Sequence, residues 1–172
     1  MKKQTSLFLT LIVASALAIT GCSKAETSDS ATSASCAKAD LTTVASGMLT
    51  IATGEPAYYP WILDDAPETG NGFEGAVAYA VAKQLGFSND EVTWVRTTFD
   101  GAVAPGVKNF DFNLQQFSIT PERQEVVDFS SPYYTAPQAI VSYEGSKIAG
   151  KTSIADLKNA KLGAAVGTTS LD

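Results

Sequence analysis

The sequence predicts an α/β fold, in which short apolar strands alternate with helices and pair into a largely parallel sheet. The run "MLTIAT" at 48–53 is apolar and ends at a loop that contains glycine and proline. From 76 to 85, Val77, Val81 and Leu85 recur every four residues, which indicates a buried helix face. The segment "EVTWVR" at 91–96 then alternates as strands do. Strand, helix and strand in this order favour parallel pairing.

Residues 1–21 are predicted to be a signal peptide. Lys2 and Lys3 precede an apolar run at 7–19 that is too short to span a membrane comfortably. The run ends in "ITGC", which resembles a bacterial lipobox, so we expect cleavage before Cys22 and lipid attachment to its thiol. A plain signal peptide with an incidental cysteine is the alternative.

Residues 22–46 are predicted to be a flexible tether between the lipid and the folded part. Ser, Thr and Ala dominate up to Leu41, and such a composition buries too little apolar surface to offset its conformational entropy. Cys36 has no partner within the sequence once Cys22 carries lipid. We expect its disulfide partner beyond residue 172, with a free thiol as the alternative.

The remaining elements follow from local signals. "GNGFEG" at 70–75 matches G-x-G-x-x-G, but no strand leads into it and no acid follows at the spacing of a dinucleotide site. We interpret it as a turn and a helix start, and Gly86 as the end of that helix. Asp100 is a candidate cap for a short helix.

A third strand is predicted in "FDFNLQQ" at 110–116. Thr120 is expected to cap the next helix, with Pro121 at its first position and Glu122 in its first turn. Further elements are expected toward the end of the chain: strands from 139 and in 161–166, and a helix in 152–158.

Composition excludes several function classes. The net charge is −6, and it becomes −8 when Lys2 and Lys3 leave with the signal peptide, so nucleic acid is not an expected partner. The sequence contains no histidine, which excludes His-based triads, and its two cysteines are not clustered as in zinc sites. No metal or cofactor is predicted. Asp64 and Asp65 are interpreted as a solvated turn.

Polar side chains gather where the third strand gives way to a helix. Arg123 falls in the first turn of that helix, and its guanidinium suits a carboxylate. Backbone N–H groups near Ser118 and the helix end also favour an anion. "VGTTS" at 166–170 offers similar donors. By residue chemistry alone, a ligand site and a surface arginine are equally good interpretations.

Four segments together resemble the family 3 solute-binding proteins of amino-acid ABC transporters. The resemblance covers about residue 47 to the end and implies a two-lobed clamshell of the periplasmic-binding-protein type that closes on one amino acid. The segments are "GMLTIATGEPAYYPW", "GFEGAVAYAVAKQLGF", "TTFDGAVAPGVKNFDFNLQQFSITPERQEVVDFSSPYY" and "GSKIAGKTSIADLKNAKLGAAVGTTS".

The resemblance implies roles for particular residues. Arg123 would bind the ligand α-carboxylate with help from Ser118, and Thr169 would donate from the second lobe with Ser170 beside it. The Gln116 backbone carbonyl would receive the α-ammonium group.

The ligand side chain would meet a second set of residues. Tyr58 and Phe99 match the aromatics that sandwich it, and Glu55 matches an acidic position that meets a polar or cationic end. Many members have small residues where this chain has Gln115 and Gln116, so these amides are expected to tune specificity.

The lobes are predicted at 47–141 for the first and from 142 for the second. About 30 residues are too few for the core of a second lobe, so we expect the chain to be truncated at its C-terminus and unable to close as a clamshell. The implied function is extracytoplasmic binding of a polar amino acid by a lipid-anchored monomer that delivers it to an ABC importer permease and is not an enzyme. The alternatives are a solute-sensing module of a lytic transglycosylase or sensor kinase, and a cyclohexadienyl dehydratase.

Overall fold

The computed structural model describes residues 35–171. The predicted signal peptide, the predicted lipidation site Cys22 and the first part of the predicted tether lie outside the described residues. The strands are β1 (Leu49–Gly54), β2 (Val92–Thr97) and β3 (Phe112–Asn113), and the α-helices are α1 (Phe73–Gln84), α2 (Phe99–Val103) and α3 (Pro121–Gln124). Short 3-10 helices occupy Lys38–Asp40, Leu63–Asp65, Pro67–Thr69, Asn89–Glu91 and Ile154–Leu157.

The three strands form a parallel sheet in the order β2-β1-β3. Leu49 lies opposite Val92 and Gly54 opposite Thr97, while Ile51 lies opposite Phe112. Every residue of β1 is buried, because this strand has neighbours on both edges. The sheet confirms the predicted α/β class with parallel strands, although β3 is shorter than the segment 110–116 suggested.

Helix α1 covers the sheet with a different face from the predicted one. Its buried positions are Glu74, Gly75, Ala78 and Ala82, whereas Val81 is 37% exposed. Small residues on the inner face let the helix approach the sheet closely, and the larger Val77 and Leu85 pack at the edges of the contact. The predicted valine stripe was therefore displaced by one residue from the true centre of the buried face.

The core lies between α1 and the sheet. Ile51 and Ala78 are fully buried, and the aromatic ring of Phe87 closes one end. Gly72 begins α1 at a φ of 99°, and a side chain there would clash with the backbone oxygen of Trp61. The pattern "GNGFEG" is thus a turn and helix start, as predicted, with Gly72 required by a close backbone approach.

The segment before β1 is attached to the folded unit. Lys38 forms a 2.5 Å ion pair with Glu91 and lies 4.8 Å from the centre of the Phe87 ring. The Asp111 carboxylate accepts hydrogen bonds from the backbone N–H groups of Val44 and Thr50. The residues of the predicted tether from Lys38 onward therefore contact the domain, while the domain boundaries stay predictions.

The segment after residue 131 contains less regular structure than the sequence suggested. The strands predicted from 139 and in 161–166 are absent from the described residues, and Val141 and Val166 are 90% and 79% exposed. A strand needs a neighbour for its backbone hydrogen bonds, and these segments have none in the described part of the chain. The predicted helix is reduced to the 3-10 turn Ile154–Leu157, capped by Ser153.

No helix within residues 35–171 is both long and apolar enough to cross a membrane.

Candidate functional site

All three strands end at the same edge of the sheet, because they run in parallel. The chain leaves β1 at Gly54 into the loop that carries Glu55 and Tyr58, and leaves β2 at Thr97 directly before Phe99. β3 leads into residues 115–120 and then α3. Ligands of parallel α/β sheets bind at this edge, so the fold gathers most of the predicted site residues where a ligand would be expected.

Arg123 is held by the helix cap that the sequence predicted. The Thr120 hydroxyl accepts a hydrogen bond from the Arg123 N–H at 3.3 Å, and Pro121 occupies the first position of α3. The Arg123 guanidinium donates to the carbonyl oxygens of Ser118 at 2.7 Å and Gly167 at 2.8 Å. Because α3 has a single turn, the guanidinium rather than the helix dipole is the main attraction for an anion here.

Two stacked phenylalanine rings lie against the guanidinium of Arg123. Its central carbon lies 5.3 Å from the ring centre of Phe99 and 5.3 Å from that of Phe117. The two rings stack on each other with their centres 4.1 Å apart. Cation–π contacts of this kind fix the plane of the arginine side chain. Phe99 was predicted from the sequence as a site residue but Phe117 was not, because its role depends on a contact with a residue 18 positions away that no local pattern reveals.

The predicted residues of the second lobe reach this edge. The hydroxyls of Ser118 and Thr169 lie 3.1 Å apart, and Ser170 donates to the Gln138 side chain at 3.1 Å. Gly167 has a φ of 75°, and a side chain there would lie 2.5 Å from an Asp100 carboxylate oxygen. The "GTTS" corner therefore approaches Arg123 closely because residue 167 is glycine. Asp100 does not cap α2, since the Thr98 hydroxyl performs that function.

The loop after β1 presents its side chains to solvent. Tyr58 is 63% exposed, and Phe99 stacks on Phe117 rather than on Tyr58 in the described part of the chain. Glu55 is also exposed. The structure thus brings Arg123, Ser118, Phe99 and Thr169 together, whereas Tyr58 and Glu55 lie on the adjoining loop.

That loop is anchored by an ion pair that the sequence analysis missed. Arg96, at the end of β2, donates to the Gly54 carbonyl at 2.7 Å and to the Asp65 carboxylate at 2.6 Å. The same carboxylate accepts the Ala57 N–H at 2.8 Å. The Ala57 N–H and then the Arg96 guanidinium hold the pKa of Asp65 below its ordinary value. Asp65 is therefore a loop anchor rather than the solvated turn residue predicted.

Gln116 is hydrogen-bonded to a buried carboxylate in the core. Glu74 is fully buried at the start of α1 and accepts hydrogen bonds from the Gln116 backbone N–H at 2.9 Å, from the Gln116 side-chain amide, and from the Tyr133 hydroxyl. Burial, and then the neighbouring Glu74, raise the pKa of the Tyr133 phenol. Gln116 has a φ of 52°, a backbone conformation that is uncommon for residues other than glycine.

The side-chain amides of Gln115 and Gln116 both form hydrogen bonds within the protein. The Gln116 amide bonds Glu74, and the Gln115 side chain accepts from Asn113 at 3.3 Å. Gln115 also lies close to Gly54. If residue 54 carried a Cβ atom, that atom would lie 3.0 Å from the amide nitrogen of Gln115. Gln115 therefore narrows the space at the end of β1, whereas the Gln116 side chain points toward the buried Glu74.

The chemistry of this edge suits binding of a carboxylate. A guanidinium carries more N–H donors than its bonds to Ser118 and Gly167 use, and the Ser118 and Thr169 hydroxyls lie beside it. Among residues 35–171 no group of His, Cys, Asp and Glu side chains is arranged to hold a metal ion.

Comparison with known sequences identifies the family. The sequence model of the bacterial extracellular solute-binding proteins, family 3, matches residues 49–169. The chain belongs to this family. As a family 3 solute-binding protein it has the expected α/β architecture with a parallel sheet, and the matched segment contains β1 through the Gly167–Thr169 corner.

Several curated relatives are similar over the same segment. An L-arginine-binding protein of Pseudomonas aeruginosa is 33% identical over 116 residues, covering 67% of this chain and 43% of the relative. A probable histidine-binding protein of Campylobacter jejuni is 32% identical, covering 70% and 45%. The arginine-binding extracellular protein ArtP of Bacillus subtilis is 37% identical, covering 56% and 36%.

The chain spans less than half the length of these relatives. No solved structure matches it significantly.

Proposed function

We propose that the edge formed by Arg123, Ser118, Phe99 and Thr169 is part of an amino-acid binding site, in a protein that binds its ligand without changing it. The observation that carries the proposal is the convergence of Arg123, Ser118 and Thr169 from separate parts of the chain. A guanidinium flanked by hydroxyls recognises a carboxylate through paired, charge-assisted hydrogen bonds. The Gln116 carbonyl, in the same loop, is the proposed acceptor for the α-ammonium group.

The proposed ligand class is a polar amino acid, with a cationic one favoured. Glu55 and Tyr58 lie on the loop after β1, where an exposed carboxylate and an aromatic ring would meet the far end of a ligand. The names of the relatives in Pseudomonas aeruginosa, Bacillus subtilis and Escherichia coli include arginine as the ligand bound. The protein's net charge of −6 also favours association with cations.

The test is a titration of the purified chain with the twenty amino acids, followed by NMR of ¹⁵N-labelled protein. We expect one or a few polar amino acids to shift the signals of Ser118, Arg123 and Thr169, with arginine among them. NMR is preferred to calorimetry because it also detects weak binding. If no amino acid shifts these signals, the proposed function is wrong.

The cellular setting is proposed as delivery of the ligand to an ABC importer permease from outside the cytoplasmic membrane. Lipid on Cys22 would hold the protein at that membrane, with residues that follow serving as the tether. Cys22→Ala should release the protein into soluble fractions and remove the lipid mass detected by mass spectrometry. A Cys22→Ala protein that stays with the membrane and retains the lipid mass would contradict the anchor.

A further inference from the structure

The Glu74 carboxylate is an unusual feature of the core. Its residue is 0% exposed, and a buried carboxylate is costly unless hydrogen-bond donors surround it. Here the donors are the backbone N–H of Gln116, the side-chain amide of Gln116 and the hydroxyl of Tyr133. Two of these donors belong to one residue, so the carboxylate holds Gln116 at two points.

The residue that Glu74 holds has a strained backbone. Gln116 has a φ of 52°, which L residues adopt at a cost because the side chain crowds the following carbonyl oxygen. Strain of this kind persists where the surrounding structure determines the conformation, and it clusters at ligand sites. The bond from the Gln116 N–H to Glu74 fixes the peptide plane on one side of this residue, and the side-chain bond fixes its rotamer.

Glu74 and Gln116 are linked to the candidate site because Gln116 is close to Ser118 in the chain. Gln116 lies two residues before Ser118, whose carbonyl accepts from Arg123, so a change of the Gln116 backbone would be passed to Ser118. Tyr133 adds a third contact from the segment that follows α3, and its ring lies 6.2 Å from that of Phe73, beside Glu74. The buried carboxylate thus joins α1, the loop after β3 and the later segment behind the ligand-binding edge.

We propose that Glu74 is a positioning residue for the amino-acid site. Its hydrogen bonds hold Gln116 so that the Gln116 carbonyl faces the ligand α-ammonium group. The inference rests on the proposed function. Glu74 itself is buried behind the loop and would not touch the ligand. Its contribution is to hold the left-handed conformation of Gln116 in the ligand-free protein, so that no rearrangement is needed when the ligand binds.

The test compares Glu74→Gln with Glu68→Gln in the full chain, with L-arginine as the probe and ¹⁵N NMR as the readout. Glu68 is exposed, so Glu68→Gln makes the same chemical change at a site away from the hydrogen bonds between Glu74 and Gln116. We expect Glu74→Gln to move the Gln116 amide proton upfield and to weaken binding about 10- to 100-fold, the loss typical of a hydrogen bond to a charged group. Glu68→Gln should leave both unchanged.

A second pair of variants separates positioning from general stability. Gln116→Ala and Gln116→Gly both remove the side-chain bond to Glu74, but only glycine adopts a φ near 52° without strain. We expect the alanine variant to bind about tenfold more weakly than the glycine variant. Glycine should also restore part of the affinity lost in Glu74→Gln. If Glu74→Gln fails to fold, the comparison of Gln116→Ala with Gln116→Gly still tests whether binding needs the left-handed conformation of residue 116.

The failures are distinguishable. A wild-type chain that binds no amino acid contradicts the proposed function. A wild-type chain that binds L-arginine while a folded Glu74→Gln binds it equally well, or equal affinities of the Gln116→Ala and Gln116→Gly variants, would overturn only the role of Glu74.

Discussion

Arg123 shows how one side chain can be fixed by its surroundings before a ligand arrives. The Thr120 cap sets where α3 begins, the stacked rings of Phe99 and Phe117 lie against the guanidinium, and two backbone carbonyl groups accept hydrogen bonds from it. An arginine with this little freedom loses little conformational entropy on binding a carboxylate. Its plane and its position are both determined by the fold.

Arg123→Lys tests whether the fork of the guanidinium matters. Lysine keeps the charge but cannot form two parallel hydrogen bonds to one carboxylate. We expect binding to weaken by about 1.5–3 kcal/mol, the value of a hydrogen bond to a charged group, with little change in thermal unfolding. The measurement is the NMR titration with L-arginine, with thermal unfolding as the control for folding. Unchanged affinity would show that paired hydrogen bonds from the Arg123 guanidinium do not contribute to binding.

Asn substitutions at Asp65 and Asp64 provide a test and its matched control for the anchoring of the loop after β1. Asp65 accepts from Ala57 and pairs with Arg96, whereas Asp64 is exposed beside it. Asp65→Asn should therefore speed hydrogen exchange at the Ala57 N–H and weaken ligand binding by loosening Tyr58. Asp64→Asn should change neither. Equal exchange rates in the two variants would mean that the ion pair does not anchor the loop.

Local sequence signals located some of these residues and could not locate others. Thr120, Pro121 and Arg123 lie within one turn, so capping rules placed them correctly. Glu74 and Arg96 act on residues 42 and 31 positions away. Contacts over such distances depend on which strands become neighbours, and no spacing along the chain encodes that directly.

The secondary-structure elements differ in how far their own sequences determine them. β1, β2 and α1 were predicted because they bury apolar side chains with a clear period. The buried face of α1 was placed one residue away from its true centre, since alanine and glycine at the contact carry a weaker hydrophobic signal than valine. Segments after residue 139 have apolar sequences typical of strands but lack neighbouring strands in the described part of the chain.

Ile51 tests the central position of β1. Ile51 is 0% exposed in a strand that pairs with both β2 and β3, so Ile51→Ala should lower the free energy of unfolding by about 2–5 kcal/mol through lost burial and a cavity. Val107→Ala is the control, because Val107 is fully exposed and its truncation should cost less than about 0.5 kcal/mol. Denaturant unfolding of both variants gives the comparison. Similar losses would mean that β1 is not the centre of the core.

At the scale of the whole molecule, the segment before β1 is attached by charge. The Lys38 ammonium group and then the Ser88 backbone N–H lower the pKa of Glu91 from 4.5 to about 2. Because the pKa of the folded state lies below the ordinary value, the ion pair stabilises the fold above pH 4.5 and this contribution is lost as the pH falls toward 2.

Glu91→Gln should therefore lower the thermal midpoint at neutral pH, and its difference from the wild type should shrink as the pH falls from 4.5 toward 2. Salt should reduce the difference as well, since the pair is partly exposed. Glu144→Gln is the control for loss of an exposed carboxylate. A difference between the wild type and Glu91→Gln that persists unchanged down to pH 2 would contradict the assignment.

The whole molecule places its candidate ligand contacts at a single edge of the sheet, where the segments that follow β2 and β3 meet the Gly167–Thr169 corner. The sequence could predict this edge because parallel strands end together. It could not predict that the guanidinium of Arg123 would lie against the stacked rings of Phe99 and Phe117, since that arrangement needs the packing of separate loops.

The most direct test of the account compares L-arginine with agmatine, its analogue without the carboxylate, in NMR titrations that follow the Arg123 side-chain N–H. We expect L-arginine to shift this signal together with those of Ser118 and Thr169, and agmatine to leave all three in place. If agmatine shifts them as strongly as L-arginine does, or if no polar amino acid shifts them, Arg123 is not the carboxylate-binding residue of an amino-acid site.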